Sequence, residues 1–247
     1  MDIGHRFFMP GLVLVLLASG AAVATLEASR AQGPAGRATA QDAAPRPPAP
    51  TLSRPTSPAA QPEADGFLRR WMLLEPIQTN GQLGDSAIRT LVGTEHFPGQ
   101  LTVLPRHGDT VTAGDRQLTW HAVDTSLYNV NLYHFAYALN QPTSNVLFWA
   151  VTIVNTPQEL RDVRLAIGSN AASVWWVNGE KVIELFNDRQ AVIDDGVSDR
   201  ITLKAGQNVI RAAIINAGGA TDFCARLLDA DDQPITSVTV TVPDAGN

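Results

Sequence analysis

Short apolar runs separated by turn residues recur every eight to twelve positions through the second half of this 247-residue chain. The runs are DVRLAIG, SVWWV, KVIELF, DRITL, NVIRAAIIN, DFCARLLDA and ITSVTVTV. Asn-Gly, Gly-Gly and Asp-Asp pairs lie between several of them, and helical periodicity is nearly absent. This pattern is typical of an all-β protein, and we expect an antiparallel β-sandwich or jelly roll.

One β-hairpin, Ser173 to Leu185, is predicted to lie at the centre of the sandwich. Its two arms flank Asn178-Gly179, and an Asn-Gly loop suits a type I′ turn because both central positions need a positive φ. The adjacent residues Trp175 and Trp176 must point to opposite faces of a strand. We expect Trp175 in the core, while Trp176 is either a core residue or exposed on the surface.

Three further segments give local predictions. Residues 145–154 are apolar on both faces, which predicts a strand in the interior of a sheet. Asp85 or Ser86 is a suitable N-cap for a short helix that ends at Leu91. The aromatic spacing of residues 128–139 fits either an extended segment or a helical turn.

The first quarter of the chain does not have the composition of a folded domain. Residues 1–31 contain an uncharged apolar run and predict a signal peptide, or an N-terminal membrane anchor if the segment is not cleaved. Residues 32–62 are rich in proline and alanine and predict a disordered linker. Residues 63–247 then form the β-sandwich domain. The expected location is periplasmic or secreted, with membrane attachment only through the N-terminal segment.

Charge and cysteine content narrow the range of partners. From residue 63 onward there are 13 Lys and Arg against 21 Asp and Glu, a balance of −8. This acidic domain is not expected to bind nucleic acid or anionic lipid. Cys224 is the single cysteine, so no intramolecular disulfide is available, and a buried free thiol is expected.

The residues from about 163 to 234 carry a family resemblance. RLAIGSN, SVWWVNGEKV, ITLKAGQNVIRAAIIN and GGATDFCARLLDADDQP resemble the galactose-binding-like jelly-roll modules that accompany bacterial glycoside hydrolases and carbohydrate esterases. FLRRWMLLEPI and RQLTWHAV look like earlier strands of the same module. The resemblance implies a β-sandwich that binds carbohydrate, and a structural calcium ion in some members. Gly168-Ser169-Asn170 departs from the family pattern, because members often have acidic residues before the tryptophan strand.

Aromatic and polar side chains near predicted loops are the candidates for sugar binding, because sugars stack their C–H faces on aromatic rings and pair their hydroxyl groups with polar side chains. The candidates are Trp176, Trp120, His121, Tyr128, Asn129 and Arg189. Trp176 aligns with the family tryptophan, although packing within the sandwich is the alternative role for these aromatic rings. Asp194 and Asp195 are candidate calcium ligands, and ordinary turn chemistry is the alternative for this pair.

Three functions remain open at this point. The first is a non-catalytic, exported carbohydrate-binding module that requires no cofactor. The second is a structural or protein-interaction domain of the cell envelope with the same fold. The third is an unrecognised hydrolase, suggested by Gly84-Asp85-Ser86, although the strand and the downstream histidine that such a serine nucleophile needs are missing from the pattern.

Overall fold

A computed structural model describes residues 52–79, 85–170, 172–186 and 190–243. The first half of this described part contains β1 (Leu52–Ser53), β2 (Arg70–Leu74), β3 (Ile77–Gln78), α1 (Asp85–Gly93), β4 (Thr110–Ala113), β5 (Arg116–Thr125), β6 (Val130–Asn131), α2 (Leu132–Ala138) and β7 (Val146–Thr156). The second half contains β8 (Leu160–Ser169), β9 (Ala172–Val177), β10 (Glu180–Leu185), β11 (Gly196–Val197), β12 (Ile201–Leu203), β13 (Gly206–Asn216), β14 (Asp222–Leu228) and β15 (Thr239–Thr241).

These strands form two antiparallel sheets. The first sheet has the order β1-β5-β2-β7-β13-β9-β10, with β3 and β15 also paired to β7 and β4 paired to β5. The second sheet has the order β11-β8-β14-β6, and β12 also pairs with β8. The predicted antiparallel β-sandwich is therefore confirmed.

The main core lies between the two sheets. Alternate residues of β7, β9 and β13 face alternate residues of β8 and β14, so each strand contributes one face to the same apolar layer. Trp71, Trp175 and Phe223 meet edge to face at its centre, with ring centroids 5.0 to 6.1 Å apart. Trp175 is fully buried, as the sequence predicts.

A second apolar layer covers the other face of the first sheet. Side chains of α1, of the segment that contains Phe97, and of β4 and β5 pack on the outward-facing residues of β7, β9 and β13. Phe97 meets Trp120 and Trp149 edge to face at 6.2 and 6.1 Å. The first sheet is therefore buried on both faces, which explains why β7 is apolar along almost its whole length.

The hairpin of β9 and β10 has the predicted turn. Asn178 and Gly179 have φ angles of 53° and 88°, so both central positions are in the left-handed region that a type I′ turn requires. β9 pairs on its other side with β13. The hairpin therefore forms the end of the first sheet, with β10 as its last strand, which corrects the prediction that it lies at the centre of the sandwich.

The ambiguous segment from 128 to 139 contains both a short strand and a helix. β6 pairs with β14 through Asn131 and Asp222. The side chain of Asn131 then accepts a hydrogen bond of 2.8 Å from the backbone N–H of His134 and caps α2. Leu132 and Phe135 of α2 are buried in the main core.

The folded part begins earlier than composition suggests. β1 pairs with β5, Ala60 bridges to Val240, and Pro62 is buried. Residues 52–62 are thus part of the sandwich, which corrects the predicted end of the linker. Residues 1–51, including the predicted signal or anchor segment, lie outside the described residues. Within the described ranges, no helix is long and apolar enough to cross a membrane.

Candidate functional site

The predicted site residues lie in three different parts of the fold. Trp120 and Trp176 belong to the apolar layer outside the first sheet. His121 lies at a cavity beside α2. Tyr128, Asn129 and Asp194 lie outside the main core, on or beside the second sheet. Arg189 lies outside the described residues, so its predicted role is not addressed by the structure.

Burial corrects the expectation that Trp176 or Trp120 presents a ring to a ligand. Trp176 is only 7 % exposed and Trp120 only 1 % exposed. Trp176 stacks on Trp149 with ring centroids 5.5 Å apart and an interplanar angle of 21°. Trp176 does point away from the main core, but the second apolar layer covers that face. Neither ring is accessible for stacking against a sugar.

Tyr128 is the candidate aromatic residue that remains accessible, with 40 % of its surface exposed. It lies in the turn between β5 and β6. The buried residue Thr125 fixes this turn: its Oγ1 donates a hydrogen bond of 2.9 Å to the carbonyl oxygen of Asn129 and accepts one of 3.2 Å from the N–H of Leu127. Tyr128 is thus carried by a short turn with defined hydrogen bonds.

The ring of Phe67 packs against the ring of Tyr128. The two ring centroids are 5.5 Å apart with an interplanar angle of 52°. Phe67 is buried and bridges to Arg226 of β14, and Gly66 before it has a φ angle of 76°. A side chain at Gly66 would also collide with Pro234, because a Cβ atom would lie 2.7 Å from the proline Cβ. The backbone around Phe67 is therefore closely fixed by its neighbours.

Arg226 and Asp194 form a bidentate ion pair next to Phe67. Nε of Arg226 donates to Oδ1 of Asp194 at 2.9 Å, and Nη2 of Arg226 donates to Oδ2. The guanidinium carbon lies 5.2 Å from the centroid of the Phe67 ring. The hydrogen bond to Asp194 is the main reason that the pKa of Arg226 is raised. The bidentate pair presents a planar polar surface.

A second polar pair lies at the other end of β14. Nδ2 of Asn129 donates a hydrogen bond to Oδ2 of Asp222. Asp222 and Arg226 are on the same outward face of β14, because Phe223, Ala225 and Leu227 between and beside them point into the core. Four strand residues span about 13 Å. We call Phe67, Tyr128, Asn129, Asp194, Asp222 and Arg226 the Tyr128 face.

Cys224 lies between these two polar pairs and is buried, as predicted. Burial raises the pKa of its thiol to about 11, so the thiol is uncharged at neutral pH. Its sulfur would lie 3.0 Å from a Cβ atom placed at Gly168. Cys224 therefore fills space under this face and is not a nucleophile.

The segment that carries Asp194 crosses over β8 at Gly168. A Cβ atom at this position would lie 2.3 Å from the carbonyl oxygen of Val192. The glycine therefore permits the close approach that brings Asp194 to Arg226. The sequence Gly168-Ser169-Asn170 departs from the family pattern because it has no acidic residues. In the structure, Gly168 is the residue that lets the segment with Val192 pack closely on β8.

A cavity of about 230 Å³ lies beside the Tyr128 face, and Phe67 lines it. Its polar walls include Glu63, Arg69 and Asp124, together with Ser126. Arg69 makes ion pairs of 2.6 Å with Glu63 and 2.7 Å with Asp65. Each positive charge in the cavity wall therefore has a nearby carboxylate, and the cavity offers both donors and acceptors without a large net charge.

Arg70 also lines this cavity, but its hydrogen bonds are internal. Its guanidinium donates two bonds of 2.8 Å to the carboxylate of Asp124 and two more, of 2.8 and 3.2 Å, to the carbonyl and hydroxyl oxygens of Ser57. Arg70 is buried. It therefore holds the cavity walls in place, whereas Arg69 and Glu63 are accessible to a ligand.

The described side chains around Asp194 do not fit a calcium site. Calcium takes six to eight oxygen ligands from several groups. Both carboxylate oxygens of Asp194 are bonded to Arg226, and among the described residues no group of three His, Cys, Asp or Glu side chains is placed to hold a metal ion. The backbone N–H of Asp195 donates a hydrogen bond of 3.3 Å to the carbonyl oxygen of Val192.

Phe67, Asp222 and Arg226 were not among the candidates that the sequence suggests. Strand alternation places Asp222 and Arg226 on one outward face, and that signal is readable from the sequence. Phe67 and Asp194 are far from Arg226 along the chain, and nothing in the local pattern indicates that they meet.

Comparison with known proteins identifies no family model and no curated protein that matches the chain. Solved structures similar to it include a β-glucosidase from Kluyveromyces marxianus in complex with glucose, at 16 % identity and a TM-score of 0.39, covering 70 % of this chain and 19 % of that one. A PA14 sugar-binding domain from an RTX adhesin matches at 11 % identity and a TM-score of 0.42, covering 73 % of this chain and 100 % of that one. An α-xylosidase from Xanthomonas citri matches at 12 % identity and a TM-score of 0.25, covering 52 % of this chain and 14 % of that one. The chain thus spans less than a fifth of the length of the β-glucosidase.

Proposed function

We propose that this protein is a non-catalytic, exported carbohydrate-binding module that holds an uncharged sugar on the Tyr128 face and in the adjoining cavity. The observation that carries the proposal is the position of Tyr128. Its ring is exposed, is supported by Phe67, and adjoins the paired polar side chains of Arg226 with Asp194 and of Asn129 with Asp222.

The chemistry of a sugar suits this arrangement. One face of a pyranose ring carries C–H groups that pack on an aromatic ring, and its hydroxyl groups both donate and accept hydrogen bonds. Arg226 supplies donors, and the carboxylates of Asp194, Asp222 and Glu63 supply acceptors. The pairing of positive and negative groups favours an uncharged ligand over an acidic or basic one.

Binding on this face involves no covalent step. Arg226 and Asp194 form an ion pair, and the side-chain amide of Asn129 donates a hydrogen bond to Asp222. The thiol of Cys224 is buried and uncharged. Export is inferred from the apolar N-terminal run, which has the length and flanking residues of a signal segment. The sugar would accordingly be a polysaccharide or glycan outside the cytoplasm.

The test is a titration of the purified protein against a panel of soluble neutral polysaccharides, with isothermal calorimetry as the measurement. We expect saturable binding to at least one glycan, and Tyr128→Ala should weaken it about tenfold or more, because loss of an aromatic contact removes roughly 1.4 kcal/mol or more. Tyr137→Ala is the matched control, since Tyr137 is also an exposed tyrosine but lies on α2. Its affinity should equal that of the unmodified protein.

Two results would contradict the proposal. One is the absence of binding across the panel, and the other is equal loss of affinity in both tyrosine variants.

A protein-interaction role is the second candidate, and it is favoured by the exposed apolar side chains Val192, Ile193 and Val197 near β11. Recovery of one stoichiometric envelope protein from an extract, together with no glycan binding, would support that role instead.

A further inference from the structure

A second cavity, of about 250 Å³, lies between β1, β5 and α2 and is separate from the Tyr128 face. Phe135 of α2 and Leu139, the residue after α2, form an apolar side of this cavity. Arg54, His107, His121 and His134 form its basic side. No carboxylate is among the residues that line it in the described part of the chain. We call it the histidine cavity.

His107 is held with a defined proton position when it is neutral. Its Nδ1 accepts a hydrogen bond of 3.1 Å from the backbone N–H of Ala122. The proton of the neutral ring is therefore on Nε2, which is free to donate to a ligand. The ring also meets His121 edge to face, with centroids 5.9 Å apart.

His121 is held by a carboxylate outside the cavity lining. Its Nε2 lies 3.3 Å from Oε1 of Glu75, and Oε2 of Glu75 accepts a bond of 3.1 Å from the N–H of Thr119. Glu75 thus orients the imidazole from outside the cavity. Phe135 packs against the ring of His121 at 5.6 Å, so the apolar and basic sides of the cavity are in direct contact.

His134 adds an unused polar atom. Its Nδ1 is buried and has no hydrogen-bond partner among the described residues, while Tyr133 is in ring contact with it at 6.1 Å. A buried nitrogen without a partner costs free energy, because it has lost water without gaining another hydrogen bond.

Arg54 is the one permanently charged side chain among the described residues that line the cavity, and it has no ion pair with any described carboxylate. Burial lowers the pKa of His107, and the neighbouring Arg54 and His121 lower it further. Glu75 pairs with His121 and does not line the cavity.

From this geometry we propose that the histidine cavity binds a small organic carboxylate with an apolar body. The carboxylate pairs with Arg54 and His107, and the apolar body packs on Phe135 and Leu139. Because the described side chains do not include three metal-binding groups at suitable positions, an anion fits better than a metal ion.

The test uses benzoate as the anionic probe and benzyl alcohol as its uncharged counterpart. Calorimetric titrations are made at about pH 7, where benzoate carries a negative charge. We expect benzoate to bind about tenfold or more tightly than benzyl alcohol, because the alcohol has no charge to pair with Arg54. Arg54→Gln and His107→Gln should each weaken benzoate binding about tenfold, which corresponds to the loss of one charge-assisted hydrogen bond.

Arg161→Gln is the matched control, because Arg161 is an exposed arginine on β8 that pairs only with Glu159 in the described part of the chain. It should bind benzoate as the unmodified protein does. Near-ultraviolet circular dichroism checks that each variant is folded. The proposal is overturned if benzyl alcohol binds as tightly as benzoate, or if folded Arg54→Gln and His107→Gln proteins retain full affinity.

Discussion

Trp176 is a packing residue of the second apolar layer. Its ring stacks on Trp149 and lies in the same cluster as Phe97 and Val174. A buried indole contributes both apolar area and aromatic contacts. Replacing it should therefore change the stability of the fold before it changes any binding property.

Trp176→Ala is expected to lower the free energy of unfolding by about 3 to 5 kcal/mol, because truncation of a buried aromatic residue leaves a cavity that the surrounding side chains do not fill. Urea denaturation followed by tryptophan fluorescence measures the change. Tyr128→Ala is the comparison variant and should change stability by less than about 0.5 kcal/mol, since Tyr128 is partly exposed. Equal stabilities for the two variants would show that Trp176 is not a packing residue.

Among single residues, some features of the structure can be predicted from the sequence and others cannot. Strand alternation places Trp175 and Trp176 on opposite faces, and the burial of Trp175 and Cys224 was predictable. The cover over Trp176 comes from Phe97 and α1, far away in the chain, and no local pattern signals that contact. The same is true of the pairing between Asp194 and Arg226, because it depends on how two distant segments cross.

At the scale of the element, the hairpin of β9 and β10 is tied to a third strand through Asn178. Nδ2 of Asn178 donates a bond of 2.9 Å to Oδ1 of Asn208, and Oδ1 of Asn178 accepts one of 3.0 Å from the N–H of Val209. Asn208 in turn bonds to both the N–H and the carbonyl oxygen of Lys204. Asn178 therefore connects the tip of the hairpin, through Asn208, to the turn that precedes β13.

Asn178→Ala is expected to destabilise the protein by about 1 to 3 kcal/mol, because it removes two side-chain hydrogen bonds and places alanine at a positive φ angle. Thermal denaturation by circular dichroism measures the loss. Lys181→Ala, on the exposed side of the same hairpin, should have an effect within about 0.5 kcal/mol. If the lysine variant were equally destabilised, the connection through Asn178 would not be the cause.

Elements with strong local signals were predictable, and elements that depend on distant partners were not. The Asn178-Gly179 turn follows from local turn chemistry, and a short helix was expected in the region where α1 runs from Asp85 to Gly93. The aromatic segment from 128 to 139 was ambiguous because its helix is selected by the Asn131 cap and by packing of Leu132 and Phe135 on the core. Residues 52–62 were predicted to be linker because their composition is rich in proline. The pairing of β1 with β5 depends on a distant strand and cannot be predicted from that local composition.

At the scale of the whole molecule, residues 52–62 join two parts of the first sheet. β1 lies against β5, the oxygens of Ser57 accept two hydrogen bonds from the buried Arg70, and Ala60 exchanges backbone hydrogen bonds of 3.0 and 2.7 Å with Val240. Removal of this segment would uncover the edge of β5 and leave Arg70 with Asp124 as its remaining partner in the described structure.

A chain that begins at Glu63 should therefore be less stable than one that begins at Leu52. Loss of two bonds to a buried guanidinium and two backbone bonds costs about 3 kcal/mol, which corresponds to a fall in melting temperature of roughly 6 to 12 °C for a domain of this size. Differential scanning calorimetry of both truncated proteins, with the chain from Gln32 as the reference, measures the difference. The protein that begins at Leu52 should melt with the reference, because its folded contacts are retained. If all three proteins melt at the same temperature, residues 52–62 are a linker in solution, and the sandwich begins at Glu63.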